Sequence, residues 1–300
     1  MEYVDQTKEL SETQLAVIRG VRPEAQRVQV LGAGDINSVV LVDDEVFRFP
    51  VDEQGRQTLH YEAVILDKLK GKTTLQIPEV HALAEDGSYT VLSYVSGRVL
   101  NNKEIKALPD EQKRQAGMTV AGFMCELNGV WGVGEISQVQ ARYTPWRENE
   151  STYYKTKLEW GKGTKYHDLY VQYHEAFMRQ RGKSEPQEFV LFGDFHAGNM
   201  LFDEDGSLTG IIDFGDCGPG TAYNELRQLY SLGEDIVHYT IKALGGRFGE
   251  IDLEAVRLNA IMHELSVLTR PESQPPHHNP RADIAHRLLN QWLGEDWGSA

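Results

Sequence analysis

The stretch that decides the fold is FGDFHAGNMLFDEDGSLTGIIDFGD, residues 192 to 216. Two short apolar runs in it are separated by the turn sequence DEDG, which predicts a strand hairpin. Asp194 precedes the hairpin, Asn199 follows Asp194 after four intervening residues, and Asp213 begins the sequence Asp-Phe-Gly at the far end. Taken singly, these residues would be a turn cap, a strand end and a loop start. Taken together they match the needs of phosphoryl transfer, in which a carboxylate orients a hydroxyl and oxygen ligands hold Mg²⁺ against phosphates.

Composition places this stretch in a globular chain with an acidic surplus. The 300 residues are 40% hydrophobic and 25% charged, which is enough apolar surface to form a core. The formal net charge is -15, and residues 201–300 hold 16 acidic against 7 basic side chains. Such a field repels nucleic acid and anionic membranes and attracts cationic or metal-bound partners. We therefore expect neither a nucleic-acid nor a membrane partner.

The cysteines and the N-terminus indicate a cytoplasmic protein. Cys125 and Cys217 lie far apart and form no metal-ligand spacing, which favours a reducing compartment. The first residues, MEYVDQTKEL, lack the basic and apolar regions of a signal peptide. No stretch approaches the roughly 20 apolar residues that cross a bilayer. We expect a soluble cytoplasmic monomer.

The hydrophobic pattern predicts an α+β protein in two parts. Residues 1–95 contain β-branched runs separated by turns, with one helical repeat over residues 57–69. Residues 96–300 are mainly helical, and one apolar helix face runs from Ala116 to Leu127. Within that part, residues 131–188 are interpreted as an inserted helical subdomain.

The motif around Asp194 resembles that of the aminoglycoside phosphotransferase family, whose fold is related to the eukaryotic protein kinases. The family pattern His-Gly-Asp-x-His-x-x-Asn is met by Gly193, Asp194, His196 and Asn199, and Phe192 replaces its first histidine. The resemblance implies a bilobal kinase-like fold, in which residues 1–95 bind nucleotide and residues 96–300 hold the catalytic residues and the acceptor. It implies Asp194 as the catalytic base. It also implies that Asn199 and Asp213 are Mg²⁺ ligands. His196 is expected to shape the loop through an internal hydrogen bond.

The glycines near residue 30 fit the same family in the order of the chain. Gly32 and Gly34 lie between two predicted strands, where glycine lets backbone N–H groups approach phosphate oxygens. Asn37 and Ser38 would add side-chain donors. Alone, this Gly-x-Gly is more typical of a hairpin turn.

The resemblance assigns further residues to the nucleotide site. Arg48, in EVFRFP, occupies the place of the lysine that contacts the α- and β-phosphates in this family, and Glu62 on the next helix would be its ion-pair partner. YTVLSYVSG resembles the hinge between the lobes, with Leu92 behind the adenine pocket. The backbone from Ser93 to Val95 would contact the base. The co-substrate would be ATP or GTP.

The acceptor is expected to be a small cationic hydroxyl compound, with an aminoglycoside antibiotic as the favoured class. IIDFGD and RFP look most like the branch that phosphorylates the 2''-hydroxyl, which implies antibiotic resistance by modification. Asn224 replaces the family's usual aspartate, so one supporting carboxylate is expected to be absent. Acidic residues of the last third would bind the cation. These candidates are Asp216, Glu225, Glu234, Asp235 and Glu264.

Two alternatives remain open at the level of the sequence. The first is a kinase of another small hydroxyl compound, such as a macrolide, choline, a sugar or an amino alcohol. The second is a catalytically silent nucleotide-binding module, which the replacements at Arg48 and Phe192 would allow.

Overall fold

The computed structural model describes residues 10–33, 37–148, 150–182, 187–269, 281–295 and 297. Its N-terminal part consists of α1 (Glu12–Val21), β1 (Val28–Ala33), β2 (Asn37–Val42), β3 (Glu45–Pro50), α2 (Glu53–Leu69), β4 (Val80–Leu83) and β5 (Thr90–Ser93). The five strands form one antiparallel sheet in the order β1-β2-β3-β5-β4.

Local interactions determine where these elements begin and turn. Asp43 joins β2 to β3 at a positive φ of 53°, and its carboxylate accepts the backbone N–H of Arg27 at 2.9 Å. Aspartate tolerates this left-handed conformation better than most side chains. Asp52 caps α2 by accepting the N–H of Gly55 at 2.8 Å. The register and the helix start are therefore encoded locally.

The sheet packs on two sides. Val40 and Phe47 join Ile18 of α1 in a small apolar cluster on one side. Tyr61 and Ile65 of α2 belong instead to the main core, which continues into the rest of the chain. The sheet is thereby attached to the helical part through α2.

The helical part carries two small sheets on a scaffold of helices. One sheet has the strand order β6-β8-β9, and the other pairs β10 with β7. The elements are β6 (Arg98–Val99), α3 (Asn102–Lys106), α4 (Asp110–Val130), α5 (Val133–Tyr143), α6 (Glu150–Gly161), α7 (His167–Gln180), β7 (Phe189–Leu191), β8 (Met200–Phe202), β9 (Leu208–Ile211), β10 (Gly218–Gly220), α8 (Ala222–Leu229), α9 (Glu234–Leu244), α10 (Leu253–Leu268) and α11 (Ala282–Leu293).

Helix α4 forms the centre of this part. Val120 and Phe123 on its inner face are 0% and 1% exposed. At Gly117 a Cβ would lie 2.8 Å from the carbonyl oxygen of Ile236, so only glycine permits this close approach of α4 to α9. The three helices between residues 131 and 188 share the same core, because Ile136 of α5, Tyr154 of α6 and Tyr170 of α7 are buried in it.

The α+β organisation predicted from the hydrophobic pattern is confirmed. Strands occupy 28–33, 37–42 and 45–50, and α2 covers the helical repeat at 57–69. Helix α4 covers the predicted helix face, and β8 and β9 form the predicted hairpin. The sequence interpretation did not include α1, which begins with a capping box between Ser11 and Gln14. Among the helices that the structure describes, none has both the length and the apolar composition needed to span a bilayer.

Candidate active site

Asp194 lies in the loop that follows β7, and its side chain is 16% exposed. The Asn199 side-chain amide donates to Asp194 Oδ2 at 2.7 Å and to the Asp194 carbonyl at 3.1 Å. His196 Nε2 lies 3.3 Å from the same Oδ2. Both side chains therefore hold one oxygen of the carboxylate, and Oδ1 is the oxygen that can accept from a hydroxyl.

The ring of His196 has a defined tautomer. The backbone N–H of Gly198 donates to Nδ1 at 2.9 Å, so Nδ1 carries no proton. The proton of the neutral ring is then on Nε2, which faces Asp194 as a donor. His196 thus shapes the loop by the internal hydrogen bond expected from the sequence, and it also orients the carboxylate of Asp194.

These contacts keep Asp194 ionised. Burial alone would raise the pKa of Asp194, but the hydrogen bond from His196 lowers it. The positive charge of Arg281 and the hydrogen bond from Asn199 lower it further. The net result is a pKa below the ordinary aspartate value, which leaves the carboxylate free to accept a proton.

Gly193 is required by the backbone beside Asp194. Its φ is 84°, and a Cβ there would lie 2.5 Å from the carbonyl oxygen of Asp216. A side chain would therefore be strained by conformation and would also collide with the loop after β9. The glycine brings the two loops that carry Asp194 and Asp213 close together.

Glu225 supports this loop from below. Its carboxylate is 1% exposed and accepts the backbone N–H groups of Phe192 at 2.8 Å and Gly193 at 2.7 Å. Burial raises the pKa of Glu225 to about 7, although the two N–H donors oppose the shift. The expectation of a missing supporting carboxylate was wrong, because Glu225 supplies it one residue after Asn224. Its burial also separates Glu225 from any acceptor.

Phe192 fills the place of the family histidine with an aromatic contact. Its ring is 0% exposed and lies edge-on to Phe214 of the Asp-Phe-Gly motif, with centroids 5.1 Å apart. Phe123 and Phe195 pack against the same ring at 6.1 and 4.9 Å. The replacement is therefore accommodated by apolar packing beneath the loop.

Arg48, Glu62 and Asp213 form one charged network between the sheet and the loop after β9. Arg48 Nη1 donates to both oxygens of Glu62 at 2.7 and 2.5 Å, and Nη2 donates to Asp213 at 3.2 Å. Glu62 also accepts the backbone N–H of Phe214 at 2.9 Å. Burial works to lower the pKa of Arg48, but the two carboxylates raise it on balance. The network thus links the predicted phosphate contact to the predicted metal ligand.

Asn199 and Asp213 offer ligands suited to a hard cation. Because the Asn199 amide nitrogen is bonded to Asp194, its carbonyl oxygen points away from that carboxylate and can coordinate a metal. Asp213 contributes a carboxylate that is 44% exposed, from a left-handed backbone at φ 69°. Carboxylate and amide oxygens suit Mg²⁺, which takes its other ligands from phosphates and water. The donor set fits the ion that the sequence predicted.

The expected nucleotide loop is described in part. Gly32 lies at an irregularity in the pairing of β1 with β2, Asn37 is 2% exposed and Ser38 belongs to β2, whereas Gly34 falls outside the described residues.

Two backbone N–H groups of the predicted hinge already donate hydrogen bonds within the N-terminal part. Ser93 donates its backbone N–H to the carbonyl of Glu79 at 2.8 Å, and Tyr94 donates to Asp44 at 3.1 Å. Val95 is 7% exposed and lies two residues after the end of β5. Leu92, the residue expected behind the adenine pocket, is 4% exposed.

A cavity of about 430 Å³ adjoins Asp194. Its charged lining is mixed, since it combines three carboxylates with three guanidinium groups. Two of these lining residues, Arg147 and Asp216, form an ion pair in which Nη1 and Oδ1 are 2.9 Å apart. The charged lining residues are Asp194, Asp216, Glu148, Arg147, Arg227 and Arg281.

Three carboxylates predicted to bind substrate lie elsewhere. Glu234 accepts from the hydroxyl of Tyr230 at 2.8 Å, and Asp235 pairs with Lys113 at 2.9 Å at the start of α9. Glu264 is 5% exposed within α10. None of the three is among the residues that line the cavity in the described part of the chain. Counting charges in sequence did not reveal which acidic groups already have partners.

The sequence matches the model of the phosphotransferase enzyme family over residues 27–258, more than half of the chain. In the GDP and kanamycin complex of APH(2'')-IIIa, the matching chain is 23% identical with a TM-score of 0.79, covering 96% of this chain and 100% of that one. The chain in the gentamicin complex of APH(2'')-IIa is 16% identical with a TM-score of 0.70, and the match covers 95% of this chain and 98% of that one. Macrolide 2'-phosphotransferase MphH from Brachybacterium faecium is 14% identical with a TM-score of 0.66, and the match covers 93% of this chain and 98% of that one.

The chain therefore belongs to the phosphotransferase enzyme family. At these identities the solved structures establish the fold, and the kinase-like fold implied by the sequence is confirmed.

Proposed function

We propose that this phosphotransferase transfers the γ-phosphoryl group of ATP or GTP to a hydroxyl of an aminoglycoside bound beside Asp194. The observation that carries the proposal is the hydrogen bonding of Asp194 at the edge of the cavity. Asn199 and His196 both engage Oδ2, which leaves Oδ1 to accept from an acceptor hydroxyl. The lowered pKa keeps this carboxylate ionised at neutral pH.

The catalytic role of Asp194 is positioning and proton acceptance. The hydroxyl donates its hydrogen bond to Asp194, so that one of its lone pairs faces the γ-phosphorus. As the bond to phosphorus forms and the bond to the leaving oxygen breaks, the hydroxyl proton passes to the carboxylate. Asn199 holds Asp194 in place during this step through the bond at 2.7 Å.

Arg48, Asn199 and Asp213 would bind the phosphates and their cation. When bound, Mg²⁺ neutralises charge that develops on the leaving phosphate. The guanidinium of Arg48 places a positive charge beside Asp213, with Nη2 3.2 Å from Oδ1. An ion pair with Glu62 holds this guanidinium in position. The buried ion pair keeps the arginine fixed where a flexible side chain would have to be ordered on binding.

An aminoglycoside acceptor is supported by charge and by the breadth of the fold match. Three carboxylates line the cavity, and the chain as a whole carries -15. The net charge of the whole chain would attract a polycation over long range, and the carboxylates within the mixed lining would orient its ammonium groups. Two of the matching enzymes were solved with kanamycin and with gentamicin, and the alignments span at least 95% of both chains. Phosphorylation would then inactivate the antibiotic for the cell that carries the enzyme.

A second acceptor class is a less charged hydroxyl compound such as a macrolide. Its support is the mixed lining of the cavity, where Arg147, Arg227 and Arg281 accompany the acidic groups. Such a lining does not select strongly for a polycation. The fold match with a macrolide 2'-phosphotransferase is compatible with this class.

A screen of acceptors with both nucleotides tests the proposal. Kanamycin, gentamicin, a macrolide, choline and homoserine would be incubated with γ-³²P-labelled ATP or GTP and Mg²⁺, and labelled product would be measured. We expect phosphorylation of an aminoglycoside. Turnover of the macrolide alone would favour the second class. Absence of transfer to any acceptor, together with no Mg²⁺-dependent nucleotide hydrolysis, would indicate a silent nucleotide-binding module.

A further inference from the structure

Arg147 lies in the segment between α5 and α6, and its side chain binds the loop that follows β9. Its Nη1 lies 2.9 Å from Asp216 Oδ1, and its Nη2 donates to the carbonyl oxygen of Gly215. The arginine side chain is 19% exposed. It therefore reaches across about 70 residues of sequence to bind one short turn through two nitrogens of one planar group.

That turn begins at Asp213 and is held by side chains from other elements. Glu62 accepts the N–H of Phe214 at 2.9 Å. Tyr61 donates its hydroxyl to the carbonyl of Cys217 at 2.6 Å, and the Arg147 guanidinium lies 5.7 Å from the ring centroid of Tyr61. Arg147 completes this support on the side that faces the cavity.

The two neighbours of Arg147 face the acceptor cavity. Trp146 and Glu148 both line it, together with Asp194. Trp146 is 36% exposed and offers a flat apolar face of the kind that packs on a sugar ring. Glu148 places a carboxylate beside it, suited to an ammonium group. Glu148 is not among the carboxylates that the sequence predicted to bind substrate.

We propose that Arg147 is a positioning residue, which holds Trp146 and Glu148 at the acceptor cavity and ties them to the turn that carries Asp213. This inference rests on the proposed function and identifies Trp146 and Glu148 as an acceptor subsite. Its physical basis is the rigid fork of arginine, which fixes both a carbonyl and a carboxylate. Displacement of Trp146 and Glu148 would then disturb the turn that carries Asp213, and displacement of that turn would disturb Trp146 and Glu148.

The experiment compares R147A, R147K and D216A with the wild type, and uses R142A as the control. Arg142 is an exposed arginine near the end of α5 and lies beside Tyr143. Isothermal titration calorimetry would measure ADP binding with and without Mg²⁺. Steady-state kinetics would give KM for kanamycin and for the nucleotide separately.

In R147A and D216A, we expect the gain in ADP affinity on adding Mg²⁺ to fall at least fivefold. Binding of ADP alone should change less than twofold. R147K keeps the charge but loses the fork, so it should be intermediate, while R142A should equal the wild type. KM for kanamycin should rise more than KM for the nucleotide.

Wild-type Mg²⁺ dependence of ADP binding in both R147A and D216A would overturn the proposal. If R147A fails to fold, as judged by loss of a thermal unfolding transition, R147K and D216A still test it. Failure of the proposed function is a separate outcome. It would appear as no phosphorylation of kanamycin by the wild type, with the binding measurements unaffected.

Discussion

Glu225 accepts the backbone N–H of Gly193 at 2.7 Å, directly before the candidate base Asp194. The same carboxylate accepts the N–H of Phe192, so two consecutive peptide groups depend on it. In E225Q one acceptor oxygen becomes an amide NH2 group that cannot accept, and one buried N–H is left without a partner. We expect a loss of about 1–3 kcal/mol in the free energy of unfolding and at least a tenfold loss in kcat. Urea unfolding and steady-state kinetics measure the two effects.

The raised pKa of Glu225 predicts a pH dependence of stability. Its pKa is about 7 in the folded chain against an ordinary value of 4.5, so the folded chain holds the proton more tightly. This contribution is fully present below pH 4.5 and is lost as pH rises through 7, with a magnitude of about 3 kcal/mol. The stability difference between wild type and E225Q should therefore be larger at pH 5 than at pH 8. An equal difference at both pH values would contradict the assignment.

The ion pair of Arg48 with Glu62 predicts opposite outcomes for two substitutions. R48A leaves Glu62 buried without its partner, and removal of one member of a buried pair costs on the order of 3–5 kcal/mol. R48K restores the charge but gives up one of the bonds to Glu62 and Asp213. We expect R48K to fold with near wild-type stability and to raise KM for the nucleotide several-fold. A fully active R48A would show that this residue does not contact phosphate.

Substitution of Gly193 by alanine should reduce phosphoryl transfer while the hydrophobic core stays folded. In G193A the new Cβ meets the Asp216 carbonyl, and the positive φ adds about 1–2 kcal/mol of strain. The loop would shift, and transfer should fall at least a hundredfold while nucleotide binding persists. G122A is the matched control, because nothing lies within 4 Å of a Cβ at that position in α4. It should be as active as the wild type.

Phe192 predicts that restoring the family histidine does not help this chain. F192H places a polar ring among Phe123, Phe195 and Phe214, where burial without a partner costs about 1–3 kcal/mol. Thermal unfolding would measure the decrease. Transfer at 25 °C should stay within tenfold of wild type, since the backbone N–H to Glu225 is unchanged. A more stable and more active F192H would refute the packing role.

Features encoded over short distances in the sequence were predicted well. Strands β1, β2 and β3, helix α2 and the hairpin of β8 and β9 follow from periodicity and turn residues. Asp194 and Asn199 were identified from their spacing together with Asp213 beyond the predicted hairpin, and the structure joins the first two by a hydrogen bond at 2.7 Å.

Features that depend on distant partners could not be predicted in the same way. The partners of Glu225 lie 32 and 33 residues away and are backbone groups, which leave no mark in a sequence pattern. Asp235 is acidic in sequence, but Lys113 from another helix already pairs with it. Arg147 offered no signal, because its importance comes from contact with the carbonyl of Gly215.

The measurement that tests the central claim most directly compares wild type with D194A. Both proteins would be assayed for transfer from γ-³²P-labelled ATP or GTP to kanamycin, and Mg²⁺-ADP binding would be measured in parallel. General-base catalysis contributes about 10²–10⁴-fold, so D194A should lose transfer by at least about a hundredfold and keep its affinity for Mg²⁺-ADP within twofold. Wild-type turnover in D194A would contradict the account, because it would mean that another group accepts the hydroxyl proton.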